Sequence, residues 1–309
     1  MRIAVMGSGA VGGHFGAKLA AAGHQVAFIA RGKHLAALQM HGLKVISPNG
    51  DLNIHRAQFT ADAQEVGKVE LILFCVKSYD TEIAAEAVKP IVSDKTTILS
   101  LQNGIDNPEK LARVYGADRI LPAVVYVGAQ ISAPGVISHS TGGRIIFGQM
   151  DGTVGDAAKA LVQTLTAARI PCEASAEIGK VQWTKLLWNA PICAISCLAG
   201  ANTKQIVESA SLTKLALDCM AEVQAAARTQ AVELARQIFD DTIEFCKTLG
   251  NFKPSMLQDL EANKPLEYEA FNGIVVKLLE AAGEPAPINK TFYATLKFLD
   301  DRIRRAAQH

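Results

Sequence analysis

Short apolar runs rich in β-branched residues alternate with amphipathic stretches through roughly the first 170 positions of the chain. Arg2–Met6, Gln25–Ala30, Leu71–Val76 and Thr96–Leu99 read as buried strands, and most of the segments between them as helices. Alternation of this kind predicts a parallel sheet with crossover helices. From Leu121 to Gly148 the runs are interrupted at Ala133-Pro134-Gly135 and Thr141-Gly142-Gly143, which predicts an antiparallel meander added to the sheet. A helix over Val154–Ala168 and a short strand over Ile170–Ala174 complete this half. Beyond Glu177 the spacing is helical throughout, in Ser211–Leu234, Arg236–Leu249, Tyr268–Ala282 and Thr291–Ala306. The expected organisation is therefore an α/β domain over residues 1–174 and an all-helical domain over residues 175–309.

The first strand leads directly into Gly7-Ser8-Gly9-Ala10-Val11-Gly12, a G-x-G-x-x-G pattern. A helix follows over Val11–Ala22, stops at Gly23, and the next strand begins at once. This is the strand–turn–helix context that a dinucleotide-binding loop needs. Gly7 permits the tight turn, Gly9 lets the backbone approach a pyrophosphate, and Gly12 lets the helix lie close on the strand. The helix N-terminus then offers its amide N–H groups to the phosphates. The first domain is accordingly read as a Rossmann-type dinucleotide-binding fold.

The second strand ends in Ile29-Ala30-Arg31-Gly32-Lys33, without the carboxylate that commonly binds the ribose 2′-hydroxyl of NAD. Arg31 can present a planar fork to a 2′-phosphate, with Lys33 as a second charge, so the expected coenzyme is NADP(H). Read blandly, Arg31 is a surface arginine at a helix start, although a cation at that end of a helix is mildly unfavourable.

Composition narrows the choice of partners. The chain has 309 residues, 49% of them hydrophobic, with 31 Lys and Arg against 30 Asp and Glu. A formal net charge of +1 provides no field to hold nucleic acid or an anionic membrane. The basic residues Arg302, Arg304 and Arg305 close the last helix, where they complement its C-terminus. The apolar stretch from Ala190 to Ala201 contains a proline and falls short of a membrane span of about 20 residues. Because Met1–Met6 enters a strand at once, no secretory leader is expected, and six cysteines without a C-x-x-C pair suit reduced thiols in a cytoplasm. No metal-ligand pattern is present, and all seven histidines, from His14 to His309, read as surface or loop residues, with His14 at most flanking the pyrophosphate.

Chemistry is concentrated where the helical domain opens. Lys185, Asn189 and Cys193 are spaced four apart, so a helix aligns them on one face, while Pro191 introduces a kink beside Asn189. A lysine in so apolar a segment either reaches a cleft or snorkels to water.

Taken together, the glycine loop, Lys77 in Cys75-Val76-Lys77-Ser78-Tyr79, Asn103 in Gln102-Asn103-Gly104, the Lys185-x-x-x-Asn189 helix, Ser255 in Ser255-Met256-Leu257 and Glu267 in Glu267-Tyr268-Glu269 resemble the ketopantoate reductase family. The resemblance runs in order from residue 1 to about residue 298. It implies NADPH-dependent reduction of a 2-oxo acid, ketopantoate to pantoate, on the route to pantothenate and coenzyme A. It further implies that Lys185 is the general acid and that Glu267 binds the substrate hydroxyl. Asn189 and Ser255 would hydrogen-bond the substrate, Asn103 would lie at the nicotinamide end, and Lys77 would serve the coenzyme. Dimerisation through the helical half is a further implication of the family.

Read from the residues alone, Glu267 reads first as a solvated acid at a helix start, loop polarity is the lesser alternative for Lys77 and Asn103, and Ser255 is equally the cap of the helix it begins. One departure stands out: Cys193 occupies the place where the family commonly carries a second asparagine, and a thiol cannot replace both halves of an amide. A different 2-oxo acid, or a non-catalytic NADP(H)-binding sensor, are the alternative readings.

Overall fold

In the computed structural model, residues 1–306 are described; the end of the expected second domain, with His309, lies outside the described residues. The chain forms two compact units, Met1–Ile178 and Gly179–His309.

The first unit is built on strands β1 (Arg2–Met6), β2 (Gln25–Ile29), β3 (Leu43–Ile46), β4 (Leu52–Ile54), β5 (Gln58–Thr60), β6 (Leu71–Phe74), β7 (Thr97–Ser100), β8 (Ile120–Ala133), β9 (Val136–Phe147) and β10 (Cys172–Ala174). Helices α1 (Ala10–Ala21), α2 (Gly32–His41), α3 (Thr81–Val88), α4 (Asn107–Tyr115) and α5 (Asp156–Ala167) connect them. The strand order is β4-β3-β9-β8-β7-β6-β1-β2-β5, with β10 added beside β9. From β8 through β7, β6, β1 and β2 to β5 every pairing is parallel. Buried on both sides, these strands send alternate residues to two cores: Ile3 and Val5 of β1 pack with Phe15 and Phe28, whereas Ala4 packs with Ile72, Phe74 and Val88.

Three features differ from the sequence reading. Strands β3, β4 and β5, of three or four residues each, occupy a region read as largely helical, because runs this short carry no measurable period. The expected meander is a two-stranded hairpin turning at Gly135, where φ is 79°. Thr141-Gly142-Gly143 is a bulge within β9 rather than a second turn: the register against β8 shifts there, and Gly142 and Gly143 have φ of 74° and 109°.

The sheet also curls. Helix α1 packs against β2 near one end of the strand order and β3 and β4 at the other, so it is enclosed rather than laid on one face. Its glycines make this enclosure feasible. A Cβ on Gly13 would fall 2.1 Å from Ile137 Cδ1, and one on Gly16 would fall 2.6 Å from Phe28 Cε1.

The second unit is helical: α6 (Ile178–Ala199), which begins one residue before the unit boundary, α7 (Thr203–Glu208), α8 (Ala210–Thr229), α9 (Gln237–Leu249), α10 (Ser255–Glu261), α11 (Ile274–Ala281) and α12 (Pro287–Ala306). A π-turn over Glu269–Gly273 precedes α11, so the helix expected from Tyr268 opens as a wider coil. Leu186, Leu187, Met220, Phe239, Phe271 and Leu296 are among its buried side chains.

Candidate active site

In the first unit, the carboxyl ends of β1, β6 and β7 lie side by side, and the loops that leave them carry Gly7–Gly12, Lys77 and Asn103. Gly7 is in the left-handed region at φ 92°, and its N–H, with that of Ser8, donates to Ile29 O at 3.2 and 3.0 Å. Only glycine fits there, because a Cβ would meet the backbone N of Val76 at 2.8 Å. The Ser8 hydroxyl turns inward and donates to Ile29 O at 3.1 Å, so the side chain fixes the loop and does not face a ligand. Its carbonyl is held by His34: the Gly135 N–H donates to Nδ1 at 3.1 Å, which makes Nε2 the donor to Ser8 O at 2.9 Å. His34 therefore ties the loop to the β8–β9 turn, a structural role that the surface assignment of the histidines missed.

These residues fit a dinucleotide. A Cβ on Gly9 would meet nothing within 4 Å, which leaves open space in front of the loop. Helix α1 has no side-chain cap and no acid in its first turn, so its leading amides, over Ala10, Val11 and Gly12, remain available to an anion. Arg31 immediately precedes α2, with its side chain 83% exposed and paired through Nη2 with Asp80 Oδ2. An exposed guanidinium fits a 2′-phosphate, which would compete with Asp80 for it.

A buried network braces the other two loops. Gln102 Nε2 donates to Val76 O at 3.1 Å and to Thr81 Oγ1 at 2.7 Å, and Thr81 Oγ1 donates to Asn107 Oδ1 at 2.8 Å. Asn107 Nδ2 in turn donates to Asn103 O at 2.7 Å. Lys77 and Asn103, both half-buried, are thus carried on loops locked to each other. Gln102, Thr81 and Asn107 escaped the sequence reading because nothing in their spacing signals a contact across separate loops.

In the second unit, Lys185, Asn189 and Cys193 lie on α6, whose helix continues through Pro191. Asn189 and Cys193 are buried, as is Glu267. Burial lowers the Lys185 ammonium to about 8, the Glu267 carboxylate opposing that shift through its charge. Burial raises the Cys193 thiol well above its ordinary range, and Lys185 and Glu267 both act on it electrostatically. Such a thiol is neutral and a poor nucleophile. The backbone N–H of Met256 points at Cys193, which brings the start of α10 to the cluster. Ser255 is exposed at that start and makes no cap hydrogen bond, so the capping reading fails.

Glu267 is not the solvated helix-start acid of the bland reading, being only 3% exposed. Leu266 N donates to Asp300 Oδ1 of α12 at 2.8 Å, immediately before it. After it, Asn272 on the π-turn donates through Nδ2 to Ala190 O at 3.1 Å and to Asn289 Oδ1 at 2.9 Å. Asn289 is held by Glu222 Oε2, which accepts its Nδ2–H at 2.8 Å. The segment carrying Glu267 is therefore fastened to α6, α8 and α12. Asp300 and Asn272 have no signature in the sequence that marks this role.

Among the described residues no group of three or more His, Cys, Asp or Glu could hold a metal, and no helix is long and apolar enough to cross a membrane. All six cysteines are free.

A parallel sheet with a glycine cradle at its carboxyl edge, continued by a helical unit in which a half-buried lysine is coupled by charge to a buried carboxylate, defines a two-part dinucleotide-fold protein. Residues 3–152 match the family described as Ketopantoate reductase PanE/ApbA, and residues 177–300 match Ketopantoate reductase PanE/ApbA C terminal. A 2-dehydropantoate 2-reductase of Archaeoglobus fulgidus is 32% identical over 294 residues, 94% of this chain and 95% of that protein. Its counterpart in Mesorhizobium japonicum is 29% identical, across 93% of this chain and 94% of that protein. The crystal structure of a PanE/ApbA family ketopantoate reductase from Ralstonia eutropha superposes with a TM-score of 0.92 at 31% identity, covering 98% of this chain and all of that one (100%). The chain belongs to the ketopantoate reductase family.

Proposed function

We propose that the protein is an NADPH-dependent oxidoreductase that reduces a 2-oxo acid to the 2-hydroxy acid, with 2-dehydropantoate as substrate and pantoate as product. The observation that carries the reading is the Lys185–Glu267 pair: an ammonium whose affinity for its proton is lowered by burial, beside a buried carboxylate. When bound, the reduced nicotinamide supplies the hydride that reaches the ketone carbon. Gly7 and Ser8 hold the turn in shape through Ile29 O, while Gly9, Ala10, Val11 and Gly12 present backbone groups to the pyrophosphate, and Arg31 binds the 2′-phosphate. Lys77 and Asn103 border the coenzyme on their braced loops.

Lys185 donates its proton to the carbonyl oxygen as negative charge develops there, and its own charge stabilises that oxygen beforehand. With a value near 8, the lysine is protonated at neutral pH yet releases its proton more readily than an exposed lysine. Glu267 accepts a hydrogen bond from the substrate hydroxyl, and Asn189 and Ser255 orient the acid. A sensor that only bound the coenzyme would have no use for a half-buried lysine coupled by charge to a buried glutamate. The family membership and the free thiols suit an enzyme of the cytoplasm.

Cys193 favours one second reading, in which the same chemistry acts on another 2-oxo acid, because a neutral thiol replaces an amide beside the pair. Loss of NADPH absorbance over a small panel of 2-oxo acids tests both. Fastest turnover of 2-dehydropantoate supports the first; turnover of a different acid alone selects the second. No turnover by protein that binds NADPH refutes both.

A further inference from the structure

Opposite the glycine cradle, the far end of α1 opens on a pocket of about 590 Å³ within the first unit. The end of α1, the β3–β4 hairpin, Gly142 of β9 and the α5–β10 turn form its walls. Two cations line it, Lys18 and Arg169, and neither has an ion-pair partner among the described residues. Burial lowers the Lys18 ammonium without any compensating carboxylate, so it lacks an internal counter-charge. Ser47 and Asn49 supply hydrogen-bonding groups, while Ala22, Val45, Leu52 and Pro171 supply apolar wall. Asp51, in the same hairpin, is engaged by the Ser47 backbone N–H at 3.0 Å and does not line the pocket.

His14 is the decisive residue. It lines the pocket, is only 3% exposed, and neither ring nitrogen has a hydrogen-bond partner. A buried donor and a buried acceptor left without partners each carry a full desolvation penalty. Its neighbour His139 is fully engaged, with Nδ1 on Ser47 Oγ at 2.9 Å and Nε2 on Thr141 O at 3.0 Å, and so offers it nothing. A lysine in the last turn of α1 is ordinarily explained as complementing the helix C-terminus. That account leaves unexplained both the orphaned imidazole and the second unpaired cation on the opposite wall.

We infer that this pocket binds a small organic anion, a phosphate or carboxylate head on an apolar body, with Lys18 and Arg169 on the head and His14 as its hydrogen-bonding partner. Its volume is in the range of small-molecule sites. It is separate from the coenzyme cradle, so it is a second ligand site on the same unit.

The test uses full-length protein saturated with NADPH, inorganic pyrophosphate as the probe, and the histidine ring signals as the NMR readout. Saturable movement of the His14 signals is expected, weakened tenfold or more in Lys18→Gln and in Arg169→Asn and retained in Lys18→Arg. Asparagine tolerates the left-handed backbone of Arg169, whose φ is 56°, so that variant carries the test if Lys18→Gln fails to fold. Unchanged NADPH affinity verifies that each variant is native. No movement of the His14 signals at millimolar pyrophosphate, movement seen only without NADPH, or affinity in both charge-removing variants equal to that of the unsubstituted protein would overturn the inference. Because the readout is binding, failure of the proposed reductase activity leaves it independently decided.

Discussion

Asp300 Oδ1 accepts the backbone N–H of Leu266 at 2.8 Å, which ties the last helix to the residue immediately before Glu267. Asp300 is 1% exposed, and its other oxygen accepts from Arg304 Nε at 2.5 Å, so its charge is compensated where it sits. Removing it strands a buried amide and loosens the segment that carries the carboxylate. Asp300→Ala is expected to lower stability by about 1–3 kcal/mol and to raise the KM for the acid more than it lowers kcat. Thermal unfolding and steady-state kinetics on the purified variant check both effects. An unchanged KM would release Asp300 from the positioning role.

Lys185→Ala is expected to reduce kcat by roughly 10² or more, the scale of a positioned general acid, while NADPH affinity stays nearly intact. Fluorescence titration with NADPH beside turnover measurements separates the two. An unaffected kcat assigns the proton to another group.

As the proposed general acid, the same lysine is expected to set a pH limb. Its acid form is lost as pH rises through about 8, so kcat/KM is expected to fall above that value. Glu267 raises the lysine's value, so Glu267→Gln is expected to move the limb to lower pH as well as to slow turnover. A limb that stays in place would show that the two charges are not coupled during the reaction.

Asp80 and a 2′-phosphate would compete for the Arg31 guanidinium. Arg31→Gln is expected to weaken NADPH while leaving NADH nearly unaffected. Asp80→Asn frees the guanidinium and removes a carboxylate from beside the 2′-phosphate, so it is expected to tighten NADPH by up to about fivefold, the range of an exposed ion pair. Calorimetric titration with NADP⁺ and NAD⁺ measures both ratios. Equal effects on the two nucleotides would move the 2′-phosphate elsewhere.

The glycines of α1 and its cradle divide by role. Gly16→Ala places a Cβ 2.6 Å from Phe28 and is expected to cost about 1–3 kcal/mol with the coenzyme site chemically intact. Gly9→Ala meets no protein atom, so it is expected to keep its Tm and lose coenzyme affinity. Paired measurements of unfolding and NADPH binding distinguish these outcomes.

What the sequence made legible was what depends on neighbours in the chain. The cradle is a contiguous strand, turn and helix, and the order Lys185, Asn189, Cys193 follows from helical spacing alone. That Glu267 belongs with this helix came from the family resemblance, since no local pattern pairs residues so far apart. The Thr81, Gln102 and Asn107 network, His34 beneath the loop and Asp300 behind Glu267 were hidden for the same reason: each joins distant segments by single hydrogen bonds. The short strands β3, β4 and β5 were missed because runs of three or four residues carry no measurable period, and β3 and β5 are completed by pairing with the distant β9 and β2.

The enclosure of α1 is completed only by strands that leave the ribosome long after the helix itself. One wall around that helix is β3, which pairs with β9 through Lys44 and Val136, Val45 and Ile137, and Ile46 and Ser138. Until β9 has emerged, the side of α1 that Gly13 leaves bare has no Ile137 to receive it. Nascent chains arrested before that point are expected to expose an unfinished apolar surface.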